Sequence, residues 1–320
     1  MANPILRVII LALASRNRAL AQVKYSNHSA QIRPLAAVIF SFLRKFLDLY
    51  GIACSESAVI SENAAVRGAQ DLNVLVFSRV EEMAAAAAKQ SASIIQEAIR
   101  ARGFARILVA TGNSQLHLIQ QLAAMKLDWD RVDAFHLDEY VGISAQHPAS
   151  FRHWIRTRFT EKVRPRSIQY LAGDAAEPDA EAARYSTLLL AGPIDLAFVG
   201  FGENGHIAFN DPHVADFNDP LTVKRVQLDA ACRAQQVREG HFPNDAAVPR
   251  EALSVTCTGL MRAAHWICSV PELRKAEAVK AALEGPISPT CPASLVRTRD
   301  RDHSFIYLDA ESASKLTRSR

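Results

Sequence analysis

The chain has 320 residues, 49 % of them apolar, and a formal charge of +4 from 37 basic and 33 acidic side chains. That composition can bury a sizeable core, which excludes a disordered chain, and its scattered Lys and Arg give no concentrated field for nucleic acid. Five cysteines, an odd number without C-x-x-C spacing, exclude a disulfide framework or a zinc ribbon and fit a reducing, cytoplasmic setting.

Residues 1–65 read as an N-terminal extension without strand and helix alternation. Its apolar run from Pro4 to Ala14 is broken by Arg7 and followed at once by Arg16 and Arg18, which argues against a secretion signal. The stretch from Leu35 to Tyr50 carries Arg44, Lys45 and Asp48, so no membrane span is expected there. Residues 66–320 read as one domain. Apolar, β-branched runs at Leu72 to Phe77, Ile107 to Ala110, Val132 to Leu137, Ile194 to Val199, Ser254 to Thr256, Trp266 to Val270 and Phe305 to Leu308 predict strands. An alanine-rich helix is predicted from Val80 to Ala101. This alternation predicts an α/β fold: a doubly wound, mostly parallel sheet with helices on both faces and ligands at the carboxyl ends of its strands.

Four segments carry chemistry. ARILVATGNSQ ends a buried strand in Thr111, Gly112, Asn113 and Ser114 before a helix, offering free N–H groups and hydroxyls to a phosphate; alone such a segment is more often just a tight strand-to-helix turn. VDAFHLDEYVG ends a strand in Asp138 and Glu139, which face opposite ways on extended backbone, so only one can touch a ligand. IDLAFVGFGENGHIAFNDP brings Gly200, Gly202 and Gly205 together with Glu203, Asn204, His206 and Asp211. Its G-x-G-x-x-G spacing suggests a dinucleotide loop, but Asn210, Asp211 and Pro212 break the chain where that loop needs a helix, and a proton-shuttling histidine fits better. In WICSVPELRKAEAVKAALEGP, Arg274 and Lys275 stand in the first turn of a helix, where the macrodipole disfavours cations unless an anion lies nearby.

In this order the segments resemble the glucosamine-6-phosphate deaminase family, which shares its fold with the 6-phosphogluconolactonases. The resemblance rests on DEYVG at 138–142, HPASFRHWIRTRF at 147–159, GENGHIAFNDP at 202–212 and the LRKAEAVKAALEG stretch ending at Gly285. It implies isomerisation of an aminosugar phosphate with loss of ammonia, glucosamine-6-phosphate giving fructose-6-phosphate. By the resemblance Asp138 is the proton acceptor at C2 and His206 the ring-opening acid/base, with Asn204 and Asp211 holding the histidine. The TGNS turn and Lys275 cradle the phosphate, and an arginine between 221 and 250, Arg233 or Arg238, closes over it; Arg233 is taken first. The ligand implied is a small sugar phosphate, with no cofactor, no metal, no nucleic acid and no membrane. Whether the protein is a homo-oligomer is left open.

The pattern departs from the family at three places. Asn204 stands where many members carry a carboxylate and supports a positive imidazole less. Asp211 is one methylene shorter than the usual glutamate, and the phosphate turn reads TGNSQ rather than TGGTP. Two other readings compete. A lactonase would use the same histidine to activate water, but its motifs resemble DER and GHTASLFPG rather than DEY and GHIAFNDP. A sugar-phosphate sensor would need a helix-turn-helix, and residues 1–65 show no basic recognition helix.

Overall fold

The computed structural model describes residues 72–317; the extension expected over residues 1–65 lies outside the described residues. The central strands come from the most continuous apolar runs. β1 (Asn73–Phe77), β2 (Ala105–Val109), β3 (Val132–His136), β4 (Asp138–Tyr140), β5 (Ser167–Gln169), β6 (Ile194–Val199), β7 (Val223–Gln227), β8 (Glu251–Val255), β9 (Ala263–Val270) and β10 (Ser304–Asp309) form two sheets. The larger is wholly parallel, in the order β1-β10-β9-β6-β2-β3-β5. β2 and β6 are buried at every position because they lie in its interior, covered on both faces, whereas β1 at its edge leaves Leu75 partly exposed.

The strand order positions the site. From β2 the chain proceeds outward to β3 and β5, then returns to lay β6 on the other side of β2 before continuing through β9 and β10. The switch point therefore lies between β2 and β6, and ligands of such sheets bind beyond the carboxyl ends of the strands there. The helices that bear on the site are α1 (Val80–Arg102), α2 (Asn113–Ala123), α3 (Phe151–Ile155), α4 (Pro178–Leu190), α5 (Ala230–Arg238) and α6 (Ala276–Glu284). α1 and α2 pack together, and the right-handed rule for parallel crossovers puts α4 and α6, which connect strands in the reversed direction, on the opposite face. α1 stops at Gly103, whose φ of 85° closes the helix in the left-handed region.

The run at Ser254 to Thr256 was expected in the parallel sheet and belongs elsewhere. It ends β8, the centre of a three-stranded antiparallel sheet ordered β4-β8-β7. β4 begins two residues after β3 ends, too close for the crossover a parallel partner requires, so it must leave the main sheet. β4 thus carries the DEY triplet out over the switch point. A second apolar cluster packs beneath it, with the Tyr140 ring centroid 5.0 to 5.2 Å from those of Phe151, Phe209 and Phe242.

Candidate active site

Beyond the β2 and β6 ends lies a half-open cleft lined by Thr111 to Ser114, Asp138, Gly202, His206, Gln235, Gln236, Glu239, His241 and Lys275. Residues from all four sequence segments meet in it. The turn after β2 reaches α2 through Gly112, whose φ of 92° only glycine adopts easily, and the helix has no side-chain N-cap. Its first N–H groups are therefore open to an anion in the cleft.

Lys275 faces the same space. It ends the 3-10 turn Leu273–Lys275 that precedes α6, is 2 % exposed, and its ammonium makes no hydrogen bond or ion pair with the described residues. Burial pushes it down to about 8. Arg274, the other cation of this turn, points away and is saturated by Glu203, Glu239 and Glu272, so the anionic neighbours expected for it are the protein's own carboxylates.

The adjacent carboxylates of β4 divide as alternation requires. Glu139 turns inward, where it accepts bonds from Ser150 Oγ and from the N–H groups of Tyr140, Phe151 and Arg152, and so anchors α3. Asp138 lines the cleft, 6 % exposed, and its carboxylate has no hydrogen-bond partner among the described residues. Burial, and secondarily the charge of Glu139, raises Asp138 well above the ordinary carboxylate range, which makes it a strong proton acceptor when ionised. Its backbone is held by His136. That ring accepts from Leu171 N through Nε2 at 2.8 Å, leaving the Nδ1 proton to reach the Asp138 carbonyl at 2.8 Å. Burial pushes His136 down to about 3, so this linker is neutral.

His206 lies on the loop after β6, with its imidazole against the backbone of Gly202. A Cβ there would stand 2.3 Å from the ring, so this position admits only glycine while the histidine keeps its place. Nδ1 lies 2.9 Å from Asp211 Oδ1, but without the alignment of a well-formed hydrogen bond. Burial opposes the charge on Asp211, yet the contacts from His206, Asn204 and Asp229 N outweigh it and hold the carboxyl below its usual range.

Among the described residues Asn204 makes no hydrogen bond to the imidazole. Its Nδ2 donates to Asp211 Oδ1 at 3.0 Å and Asp229 Oδ2 at 3.2 Å, while its Oδ1 accepts the His206 backbone N–H at 3.1 Å. It therefore orients the histidine indirectly, by keeping two carboxylates together. Arg233 is not brought to the cleft: it pairs with Asp245 at 3.0 Å, and Arg238 pairs with Glu203. The reason is helical phase. Cys232, Gln235, Gln236 and Glu239 follow the i, i+3, i+4, i+7 stripe that faces inward, and neither arginine lies on it. This segment lines the cleft with Gln235, Gln236 and, at the C-cap of α5, Glu239. Glu239 is held at about 2, against burial, by His241 and Arg274.

Folding also assembles ligand-type clusters that linear spacing concealed, His206 with Asp211 and Cys232, and Asp211 with His213 and Asp229. Among the described residues no helix is long and apolar enough to cross a membrane.

A family model described as glucosamine-6-phosphate isomerases/6-phosphogluconolactonase matches residues 78–305. Glucosamine-6-phosphate deaminases of Bacillus cereus (strain B4264) and Bacillus thuringiensis (strain Al Hakam) are each 31 % identical over 226 residues, 71 % of this chain and 83 % of theirs. Among solved structures, a monomeric glucosamine-6-phosphate deaminase aligns with a TM-score of 0.69 at 29 % identity, over 76 % of this chain and 99 % of that one. A 6-phosphogluconolactonase from Shewanella baltica OS155 aligns at 0.64 and 18 % identity, over 76 % and 100 %, a likeness of fold.

Proposed function

Because the chain belongs to the glucosamine-6-phosphate isomerase/6-phosphogluconolactonase family of enzymes, we propose that it converts glucosamine-6-phosphate and water to fructose-6-phosphate and ammonia. The observation that carries this reading is the cleft's combination of a buried ammonium, Lys275, and a buried carboxylate, Asp138, neither of which has a partner among the described residues. The first, with the open N-terminus of α2, suits a phosphate; the second suits removal of a proton from carbon.

In this mechanism the phosphate docks between Thr111 to Ser114 and Lys275. His206 moves a proton from the anomeric hydroxyl to the ring oxygen, opening the ring to the aldehyde. Asp138 then takes the C2 proton, the electron pair forms the C1–C2 double bond of an enolamine, and the carbonyl oxygen gains a proton. Return of a proton to C1 leaves an imine at C2, which water hydrolyses to the ketone with release of ammonia. Lactone hydrolysis has no carbon proton to remove and would leave Asp138 without employment. We assign catalysis to residues 66–320 and place the enzyme in the cytoplasm, in keeping with the free thiols of Cys232, Cys257, Cys268 and Cys291.

The test is a coupled assay of ammonia and fructose-6-phosphate from glucosamine-6-phosphate, run beside hydrolysis of 6-phosphogluconolactone. Stoichiometric release of both products supports the proposal; hydrolysis of the lactone with no ammonia overturns it.

A further inference from the structure

Three donors of different kinds converge at the His206 ring. A ring nitrogen of His206, an oxygen of Asp211 and the Cys232 thiol all lie within 4.8 Å of one another, all three residues are buried, and Nδ1 is the nitrogen beside Asp211. We propose that they form an inhibitory site for a thiophilic divalent cation of the zinc class, which switches the enzyme off by capturing the histidine's inner nitrogen.

Three observations support the fit. Tetrahedral zinc with N, O and S donors at about 2.0 to 2.3 Å sets those donors roughly 3.3 to 3.8 Å apart, so the 2.9 Å gap between Nδ1 and Asp211 has to open by a few tenths of an ångström and the Cys232 thiol, within 4.8 Å of both, has to close by about 1 Å at most. Nδ1 is buried and its one polar contact among the described residues, to Asp211 Oδ1 at 2.9 Å, is poorly aligned, so a metal displaces only that contact as the ring proton passes from Nδ1 to Nε2. The outer shell is in place as well. Asn204 Nδ2 and the Asp229 N–H hold the two oxygens of Asp211, and Cys232, in the first turn of α5, has its own N–H tied to Asp229 Oδ1.

Binding releases the thiol proton to solvent, and thiolate and carboxylate together neutralise the dication, which a buried site requires. The fourth position stays open to water. Capture does not destroy the phosphate cradle, since neither Lys275 nor the α2 turn belongs to the trio. It pins the imidazole and replaces its contact with Asp211, so proton transfer fails while sugar phosphate still docks. The loss of activity rests on the role proposed for His206; the existence of the site does not.

The experiment titrates metal-free protein with Zn2+ under assay, and with Cd2+ while the ultraviolet thiolate-to-metal band is followed, for the wild type, Cys232→Ser, Cys232→Ala and His213→Ala. The expected result is inhibition by micromolar Zn2+ that a chelator reverses. Both Cys232 variants should keep metal-free turnover and lose at least about tenfold in Zn2+ sensitivity, as replacement of a soft donor by a hydroxyl or methyl demands. The wild type should show one more cadmium–thiolate per chain than either. Equal inhibition of the Cys232 variants, an unchanged cadmium band, or inhibition lost only in His213→Ala would overturn the assignment. If the protein proves inactive on glucosamine-6-phosphate, the cadmium band still decides the site.

Discussion

Lys275→Met tests the phosphate cradle through a change of stability opposite in sign to its change of activity. Burial takes the ammonium from 10.5 to about 8, and at about 1.4 kcal/mol per unit the charged form costs the empty folded protein on the order of 3 kcal/mol at pH 7. The sign follows from proton counts. Between pH 8 and 10.5 the folded lysine has released its proton and the unfolded one has not, so the unfolded state binds more protons and stability rises with pH across that window. Lys275→Met should remove that rise and, without anion, be more stable than wild type at pH 7 by about 2 to 3 kcal/mol. Inorganic phosphate should stabilise the wild type by mass action and the variant far less. Losing a charge-assisted hydrogen bond of about 1.5 to 3 kcal/mol should raise KM for the sugar phosphate roughly 10- to 150-fold. Urea unfolding at pH 7 and pH 10, with and without phosphate, together with steady-state kinetics, reads all of these. A variant less stable than wild type without anion, yet equally stabilised by phosphate, would refute the reasoning.

Asp138→Asn should lower turnover by about 10²- to 10⁴-fold while sugar-phosphate binding, measured by calorimetry, changes only a few-fold; near-normal turnover would move the base elsewhere. Gly202→Ala puts a Cβ 2.3 Å from the His206 ring, so turnover should fall by about 10²-fold or more with phosphate-induced stabilisation retained, and loss of both would mean a wider collapse of the loop. Asn204→Asp replaces a donor lying 3.0 and 3.2 Å from two carboxylates by a third carboxylate, and the urea midpoint should report a loss of about 2 to 4 kcal/mol; a neutral or improved variant would show that Asn204 does not bridge Asp211 and Asp229. A chain beginning at Gly68 should fold and act, which solubility and turnover of that shortened protein measure directly, because the pattern that builds the sheet starts at Leu72.

What the sequence disclosed follows the range over which each signal acts. β2 and β6 were legible because an interior parallel strand is a continuous apolar run, and the turn at Gly112 because a left-handed residue before a helix is a local demand. The split between Asp138 and Glu139 was legible for the same reason, since alternation along a strand is local. The antiparallel partner of β8 was not, because a short apolar segment carries no direction and its pairing depends on where β4 leaves the sheet. Arg233 was taken from the family resemblance, which marks a segment and not a phase on α5. The resemblance paired Asn204 with the imidazole, whereas its amide spans two carboxylates, one of them from a later segment.

Lys275 shows how fold and site are coupled at their most strained point. The residue that opens its turn, Glu272, has φ 83°, a left-handed conformation that costs a non-glycine residue free energy. Its neighbours enforce that conformation: Glu272 N donates to Asp309 Oδ2 at the end of β10, Leu273 N to Glu311 Oε2, and the Glu272 carboxylate receives Arg274. The adjacent cations then go separate ways, Arg274 into a web of three carboxylates and Lys275 into the cleft with none within ion-pair distance among the described residues. With its carboxylate neighbours engaged by Arg274, the Lys275 charge is left for a ligand. The stability forgone at a strained turn and a buried ammonium thus becomes affinity for an anion, realised only when the substrate phosphate arrives.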